Sequence, residues 1–277
     1  MTMKVYCILS DERAYRSKSP AMFTTVIQRQ GIRGMYVPFK VQPEEVGKAL
    51  ESLKTLGIAG ANVTIPYKQA VIPYLDILSE GANVIGAINT IVITGEELKG
   101  YNTNAIGFMD ALDSVDFNPE GKSALIFGTG GAARAVAFIL NWLRTDTIVV
   151  AGRSDEKVQQ LVKRFGGEGA TLESLGKDIK ADILINATSV SSPDESPEMA
   201  ALVADLNIKG CELMVDLNYN RPQNFWQDLA RDKDIRYMDG LVPLAYQARR
   251  TFALWTGLQL PPEEFINAIN GNGTDKP

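Results

Sequence analysis

The sequence predicts an α/β fold in two domains, and three observations carry that prediction. At 277 residues the chain is long enough to bury two moderate cores. Its first part alternates short apolar runs with amphipathic segments, as a mostly parallel sheet with crossover helices requires. Near residue 105 a second series begins. In it a fully apolar strand passes through a glycine-rich turn straight into a long apolar helix, as in a Rossmann-type unit.

The elements follow in order. MKVYCIL is a short apolar strand. SPAMFTTVIQRQG is a helix with Ser19 as its N-cap, Pro20 at the first helical position and Gly31 as its stop. GMYVPFKV is a second strand. PEEVGKALESLKTLG is a helix with acids in its first turn, where the helix dipole favours them, and Gly57 ends it. IAGANVTIP is a strand closed by Pro66. KQAVIPYLDILS reads as helical with an interruption at Pro73. AINTIVITGEELKGYNT reads as two strands joined by a turn at Gly95.

AIGFMDALDSV then gives a helix, and FNPEGKS breaks it. SALIFGTGGAARAVAFILNWL supplies strand, turn and helix, with Ala124–Phe127 fully apolar. DTIVVAGRSDEKVQQLVKRFG repeats that order. ADILINATS and CELMVDLNY are buried-type strands. GLVPLAYQARRTFALWTG and PPEEFINAING are terminal helices. The expected boundaries are 1–104 for the first domain, completed by 241–277, and 105–240 for the second.

Composition narrows the function. Forty-five per cent hydrophobic and 22% charged residues are ordinary for a globular protein. A formal charge of −5 argues against a nucleic-acid surface. No run is apolar enough to span a bilayer, and no secretory leader is evident, so cytoplasm is the expected compartment. Cys7 and Cys211 read as buried reduced thiols. The chain has no histidine, and its cysteines do not cluster, so no metal site is expected. Any general acid or base must then be Lys, Asp, Glu, Tyr or Cys.

Gly128, Gly130 and Ala133 form a G-x-G-x-x-A turn between a buried strand and a helix. Small residues there let the backbone approach a pyrophosphate that faces the helix N-terminus. A tight turn with no ligand would use the same residues. The next strand ends in Ala151-Gly152-Arg153-Ser154. Arg153, with Lys157 one turn on, suits the 2′-phosphate of NADP. Asp155 beside them could instead hold the ribose diol of NAD.

Polar clusters fall where strands of the first domain end. They are Ser17 and Ser19, then Asn62, Thr64 and Lys68, then Asn89 and Thr90, then Asn102 to Asn104. Ligands of open α/β sheets bind at such ends. Hydroxyls, amides and one lysine suit a neutral polyol bearing a carboxylate. Bland roles also exist: a helix cap for Ser19, buried backbone contacts for Asn62 and Asn89, a surface position for Lys68.

SKSP, GANVTIPYK, GAINT, NTNAIGF, GTGGAARA, INATS and DGLVPLAYQA together resemble the shikimate dehydrogenase family, which includes quinate/shikimate dehydrogenases. The resemblance covers nearly the whole chain. It implies a substrate-binding α/β domain completed by the C-terminal helices, and a Rossmann domain for NADP, with NAD possible. It implies reversible oxidation of a ring hydroxyl of shikimate, a cyclohexene carboxylate, to 3-dehydroshikimate. Ser17, Ser19 and Thr64 would hold the carboxylate. Asn62, Asn89 and Gln247 would bind ring hydroxyls, and Tyr219 would line the same pocket. Lys68 would be the catalytic lysine. Gly128, Gly130, Gly131, Ala132, Arg153, Ser154, Lys157, Thr188, Ser189 and Gly240 would bind the dinucleotide. Monomer and homodimer both remain open.

The departures are specific. The family's Gly, Pro and His before the SKSP serines are absent, and Arg16 stands in the histidine's place. Val190-Ser191 follows NATS, and Val242-Pro243 replaces Gly-Met. The family's Asn-Thr-Asp is here Asn102-Thr103-Asn104. An amide at 104 makes Lys68 easier to deprotonate but removes a charged acceptor for the reacting hydroxyl. Weakened shikimate oxidation is expected, or another ring acid such as quinate or an aminoshikimate. A paralogue that binds metabolite or dinucleotide without reacting also fits.

Overall fold

A computed structural model describes residues 3–270. The chain begins with β1 (Lys4–Ser10), a 3-10 turn at Glu12–Arg16, α1 (Ser19–Arg29), β2 (Gly34–Lys40) and α2 (Val46–Thr55). Next come β3 (Gly60–Val63), β4 (Ile77–Leu78), α3 (Glu80–Ile85), β5 (Thr90–Thr94), β6 (Glu97–Tyr101) and α4 (Thr103–Asp113). Then follow β7 (Ser123–Phe127), α5 (Gly131–Trp142), β8 (Thr147–Gly152), α6 (Asp155–Phe165), β9 (Glu168–Thr171) and β10 (Asp178–Lys180). After these come β11 (Ile183–Asn186), α7 (Pro197–Ala204), β12 (Asn207–Lys209), β13 (Leu213–Asp216), α8 (Phe225–Asp232) and β14 (Arg236–Met238). The long α9 (Leu241–Thr256) and α10 (Pro262–Ile269) close the described chain.

The chain forms two compact units. One runs to Gly107 and resumes at Ala245, and the other is Phe108–Leu244. These divisions fall three or four residues beyond the expected 104/105 and 240/241, inside α4 and α9. The first turn of α4 stays with the first unit because Thr103 and Asn104 are hydrogen-bonded to Asn89.

The first unit has a six-stranded sheet in the order β2-β1-β3-β5-β6-β4. β1 pairs in parallel with β2 and β3, while β5 runs antiparallel to both β3 and β6. The sheet is therefore mixed, with its parallel half where strands and helices alternate in sequence. α2 turns Val46, Leu50 and Leu53 into the core, at helical spacing.

The predicted helix over 68–79 does not form. A 3-10 turn at Ile72–Tyr74 is followed by β4, which pairs in parallel with β6. Pro73 removes a helical donor. Asp76 then binds Leu98 twice: its backbone N–H donates to the Leu98 carbonyl, and its carboxylate accepts from the Leu98 N–H. A new helix, α3, starts at Ser79, whose hydroxyl accepts from the Ala82 N–H. Ser19 is likewise not a cap. Lys18 holds the N-cap position, and Ser19 opens α1 with Pro20 behind it.

Aromatic packing explains why the C-terminal helices belong to the first unit. Trp255 of α9 stacks on Tyr6 at 4.9 Å, and Phe23 stacks on Tyr36 at 4.8 Å. Phe265 of α10 meets Phe23 and Phe252 edge-on. Trp255 also donates its indole N–H to the Ile91 carbonyl at 3.0 Å.

The second unit has a six-stranded sheet in the order β14-β13-β11-β7-β8-β9, every pairing parallel. That order is the doubly wound arrangement with its switch point between β7 and β11. A small parallel pair, β10 with β12, stands beside it. Trp226 is fully buried against Phe127. Cys7 is buried and Cys211 half-buried, and both are free. Burial pushes their thiols up to about 12 and about 11, so both are protonated at neutral pH. Among the described residues no helix is long and apolar enough to cross a membrane.

Gly60 lets Trp255 lie flat on β3, because a Cβ there would sit 2.3 Å from the indole nitrogen. Gly60→Ala should therefore cost roughly 1–3 kcal/mol by overpacking. Denaturant unfolding monitored by tryptophan fluorescence should read this as a lowered midpoint; an unchanged midpoint would mean that Trp255 is not clamped against β3.

Candidate active site

Asn89 is the hub of the polar cluster in the first unit. It lies immediately before β5, and its Oδ1 accepts the Thr103 backbone N–H at 2.7 Å. Its Nδ2 lies 2.8 Å from Thr103 Oγ1, 2.8 Å from Asn104 Oδ1 and 3.0 Å from Gln247 Oε1. Asn62 projects from β3 at the register position facing Thr90. Its Nδ2 donates to the Asn89 carbonyl at 2.8 Å, and its Oδ1 accepts from the Tyr36 hydroxyl at 2.8 Å. The hydroxyls of Thr90, Thr103 and Thr251 close a buried triangle with edges of 2.9 to 3.2 Å.

Sequence reasoning missed Tyr36 and Thr251. Thr251 follows Gln247 by four residues on α9, so helical periodicity puts both on one face. Tyr36 carries no comparable signal, because only the sheet order brings β2 near Asn62.

The row of residues at 102–104 divides its tasks. Asn102 caps α4: its Oδ1 accepts from the Asn104 and Ala105 N–H groups at 3.1 and 3.2 Å, and its Nδ2 donates to the Ala87 carbonyl. Thr103 is buried in the hydroxyl triangle. Asn104 is half-buried, with its oxygen turned to Asn89.

Lys68 lies in the loop after β3, beyond the cis Ile65-Pro66 peptide bond. Its carbonyl accepts from the Ile88 N–H at 2.7 Å, which fixes its backbone next to Asn89. The side chain is half-buried, and no carboxylate among the described residues forms an ion pair with it. Desolvation by the surrounding protein brings its pKa down to about 8, with no neighbouring charge contributing. A lysine in that condition can exchange a proton near neutral pH.

Ser17 and Thr64 are half-buried and Ser19 is buried. Ser17 Oγ accepts from the Ser19 N–H at 3.1 Å. Thr64 follows the end of β3, and its N–H donates to the Leu9 carbonyl of β1 at 3.2 Å. These hydroxyls therefore sit at or beyond the carboxyl ends of parallel strands.

In the second unit, the glycines of the turn have different tasks. Gly128 has a φ of +116°, and a Cβ on it would sit 2.8 Å from the Ala187 carbonyl oxygen, so packing at the switch point demands glycine. Gly130 is the N-cap of α5 without a side-chain cap, and a Cβ on it would meet open space. Packing does not require that glycine. Gly131 and Ala132 follow in the uncapped first turn. An open, uncapped first turn of small residues fits the pyrophosphate of a dinucleotide.

At the tip of β8, Arg153 and Lys157 are exposed, and Ser154 caps α6 by accepting the Lys157 N–H. Asp155 is tied to Gln159 at 3.2 Å. Two cations at the strand tip fit a 2′-phosphate.

Thr188, Ser189, Tyr219 and Gly240 lie on loops near the ends of β11, β13 and β14. Thr188 donates to Asn186 Oδ1 at 2.7 Å. Asn186 in turn donates to the Asp216 carboxylate at 2.8 Å, and Asn224 donates to its other oxygen at 2.7 Å. Burial raises the Asp216 pKa despite these bonds. Asn218 links the two loops, donating to the Thr188 carbonyl at 3.0 Å. Ser189 is exposed, and Tyr219 is half-buried. Gly240 has a structural demand, since a Cβ would sit 2.4 Å from the Leu217 carbonyl oxygen.

Asn89→Ala would leave the buried Thr103 N–H without its acceptor and release both Asn104 and Gln247. A loss of roughly 1–3 kcal/mol is expected, read as a lower denaturant midpoint. No loss of stability would mean that the cluster is held by other contacts.

The comparisons with known proteins agree with this arrangement. The family model described as "Shikimate dehydrogenase substrate binding domain" matches residues 12–91, and "Shikimate / quinate 5-dehydrogenase" matches residues 111–239. A shikimate dehydrogenase (NADP(+)) of Desulforamulus reducens is 36% identical, over 92% of this chain and 90% of the relative. One from Pyrococcus abyssi is 37% identical, over 97% of both chains. The crystal structure of shikimate 5-dehydrogenase from Thermus thermophilus in complex with NADP(H) and shikimate is similar, with a TM-score of 0.85 and 31% identity. The match covers 97% of this chain and 99% of that one. With the lysine, the amide cluster and the doubly wound unit all in place, this chain belongs to the shikimate dehydrogenase family.

Proposed function

We propose that the protein is an NADP-linked dehydrogenase of aromatic biosynthesis that interconverts shikimate and 3-dehydroshikimate. The observation that carries this reading is Lys68: a half-buried lysine with no ion-pair partner among the described residues, its backbone fixed beside an amide and hydroxyl cluster. Ser17, Ser19 and Thr64 bind the ring carboxylate. Gln247 and Asn104 meet ring oxygens. Asn62 and Asn89 spend their polar atoms largely inside the protein, so their part is to hold the others in place. Gly130, Gly131 and Ala132 receive the pyrophosphate, Arg153 and Lys157 the 2′-phosphate, and the loops bearing Thr188, Ser189 and Tyr219 the nicotinamide end. When bound, NADP supplies the acceptor for the hydride that leaves the carbinol carbon.

In the oxidation direction Lys68 must be neutral to take the hydroxyl proton; in reduction it must be an ammonium to return it. With its pKa at about 8, turnover in oxidation rises with pH through that value and levels off above it. Reduction falls over the same range. Lys68→Ala removes the proton carrier and should lower kcat by on the order of 10²–10⁴-fold in both directions, followed through the absorbance of reduced nicotinamide. Wild-type turnover in that variant would end the lysine assignment. Arg153→Ala should raise KM for NADP by roughly tenfold to a hundredfold, the worth of one charge-assisted hydrogen bond. It should leave KM for NAD nearly unchanged. Equal effects on both cofactors would remove Arg153 from the 2′-phosphate.

A further inference from the structure

Two loops of the second unit leave the carboxyl ends of the neighbouring parallel strands β11 and β13. The β11 loop passes beside the glycine turn, since a Cβ on Gly128 would sit 2.8 Å from the Ala187 carbonyl oxygen. It is firmly seated. Asn186 Nδ2 and the Trp226 indole N–H both donate to the Val190 carbonyl, at 2.9 and 3.3 Å. The Phe225 N–H donates to the Ser191 carbonyl at 3.0 Å. The β13 loop carries Tyr219. Just beyond it the chain turns sharply at Asn220, whose φ of +54° lies in the left-handed region that asparagine tolerates.

After that turn Arg221 reaches back along the loop. Its Nη1 donates to the Tyr219 carbonyl at 3.1 Å, and its Nε stands 2.7 Å from Glu195 Oε1. The Nε–H makes no aligned hydrogen bond, so charge attraction holds the pair. Glu195 is itself held from the β11 side: its Oε2 accepts the Ser191 and Ser192 N–H groups at 2.8 and 3.2 Å. A chain of contacts thus runs from the seated β11 loop, through a carboxylate and a guanidinium, to the backbone of Tyr219. Each side chain is 30% exposed, so water screens the attraction only in part.

We infer that Glu195 and Arg221 are positioning residues, which act as one unit to hold Tyr219 in place for the ring acid. Neither side chain has to touch the substrate. This inference rests on the reading of the protein as a ring-acid dehydrogenase with Tyr219 in its site, and it names what fixes that residue. An ion pair this exposed adds little to global stability, so its loss is read in catalysis more than in unfolding.

Steady-state kinetics of shikimate oxidation by Arg221→Ala, Glu195→Gln and the doubly substituted protein test it, beside their denaturant midpoints. Arg221→Ala should raise KM for shikimate and lower kcat/KM by roughly tenfold, the worth of one hydrogen bond from a charged donor. Glu195→Gln keeps the shape but removes the charge, and should lower kcat/KM by about twofold to fivefold. The double substitution should be no worse than Arg221→Ala alone, because the two residues share one task. KM for NADP should stay unchanged throughout, since the glycine turn, Arg153 and Lys157 hold its phosphates. A fall in kcat with both KM values unchanged marks only a loss of folded enzyme, and it overturns the inference. So do an equal rise of both KM values, effects that multiply in the double substitution, or wild-type kinetics in all three proteins. Each of these leaves the dehydrogenase reading intact, whereas a wild type that does not turn over shikimate overturns both. If Arg221→Ala does not fold, Glu195→Gln decides by the same division between the two KM values.

Discussion

The polar site of the first domain depends on one hydrogen bond, from the Thr103 N–H to Asn89 Oδ1. It joins the first turn of α4 to the start of β5, and it sets which way round the Asn89 amide stands. From there the orientations of Asn104 and Gln247 follow, because a nitrogen at either place would face the Asn89 nitrogen with no acceptor between them. Reversing Asn89 would set a nitrogen against the Thr103 N–H and an oxygen against two carboxamide oxygens. A buried network of this kind is costly if partly satisfied, so it specifies one arrangement.

That arrangement needs a rigid frame, and the aromatic packing supplies it. Gln247 and Thr251 reach the cluster only because α9 is seated on the sheet through Trp255, which Gly60 admits at close range. The C-terminal helices are thus part of the site's construction. Lys68 depends on the same frame in another way. Its low pKa comes from the protein packed around it, not from a neighbouring charge. A carboxylate at 104 would favour the ammonium; the amide there leaves burial as the determining influence.

Much of this is legible in the chain. The G-x-G-x-x-A turn, the alternation of apolar and amphipathic runs, and the apolar strands near 183 and 213 all report local periodicity, which sequence carries directly. The polar residues at strand ends are legible for the same reason, since chain position relative to a strand is local information. The stretch at 68–79 misleads because its outcome is not local. Asp76 pairs with Leu98 across the sheet, and that pairing displaces a helix that Pro73 has already weakened. Ser19 misleads by one position, as helix starts often do when Pro and Ser both signal a start.

The sequence by itself determined the two α/β series, the glycine turn, the basic strand tip at Arg153 and Lys157, and the identity of Lys68 and Asn104. Only the tertiary structure decided what those residues are packed against and bonded to. Tyr36, Thr251 and Gln247 come from distant parts of the chain, and the orientation of a carboxamide is set by the donors and acceptors packed around it. A sequence names the amide at 104; the hydrogen bond from Asn89 decides which way round it stands.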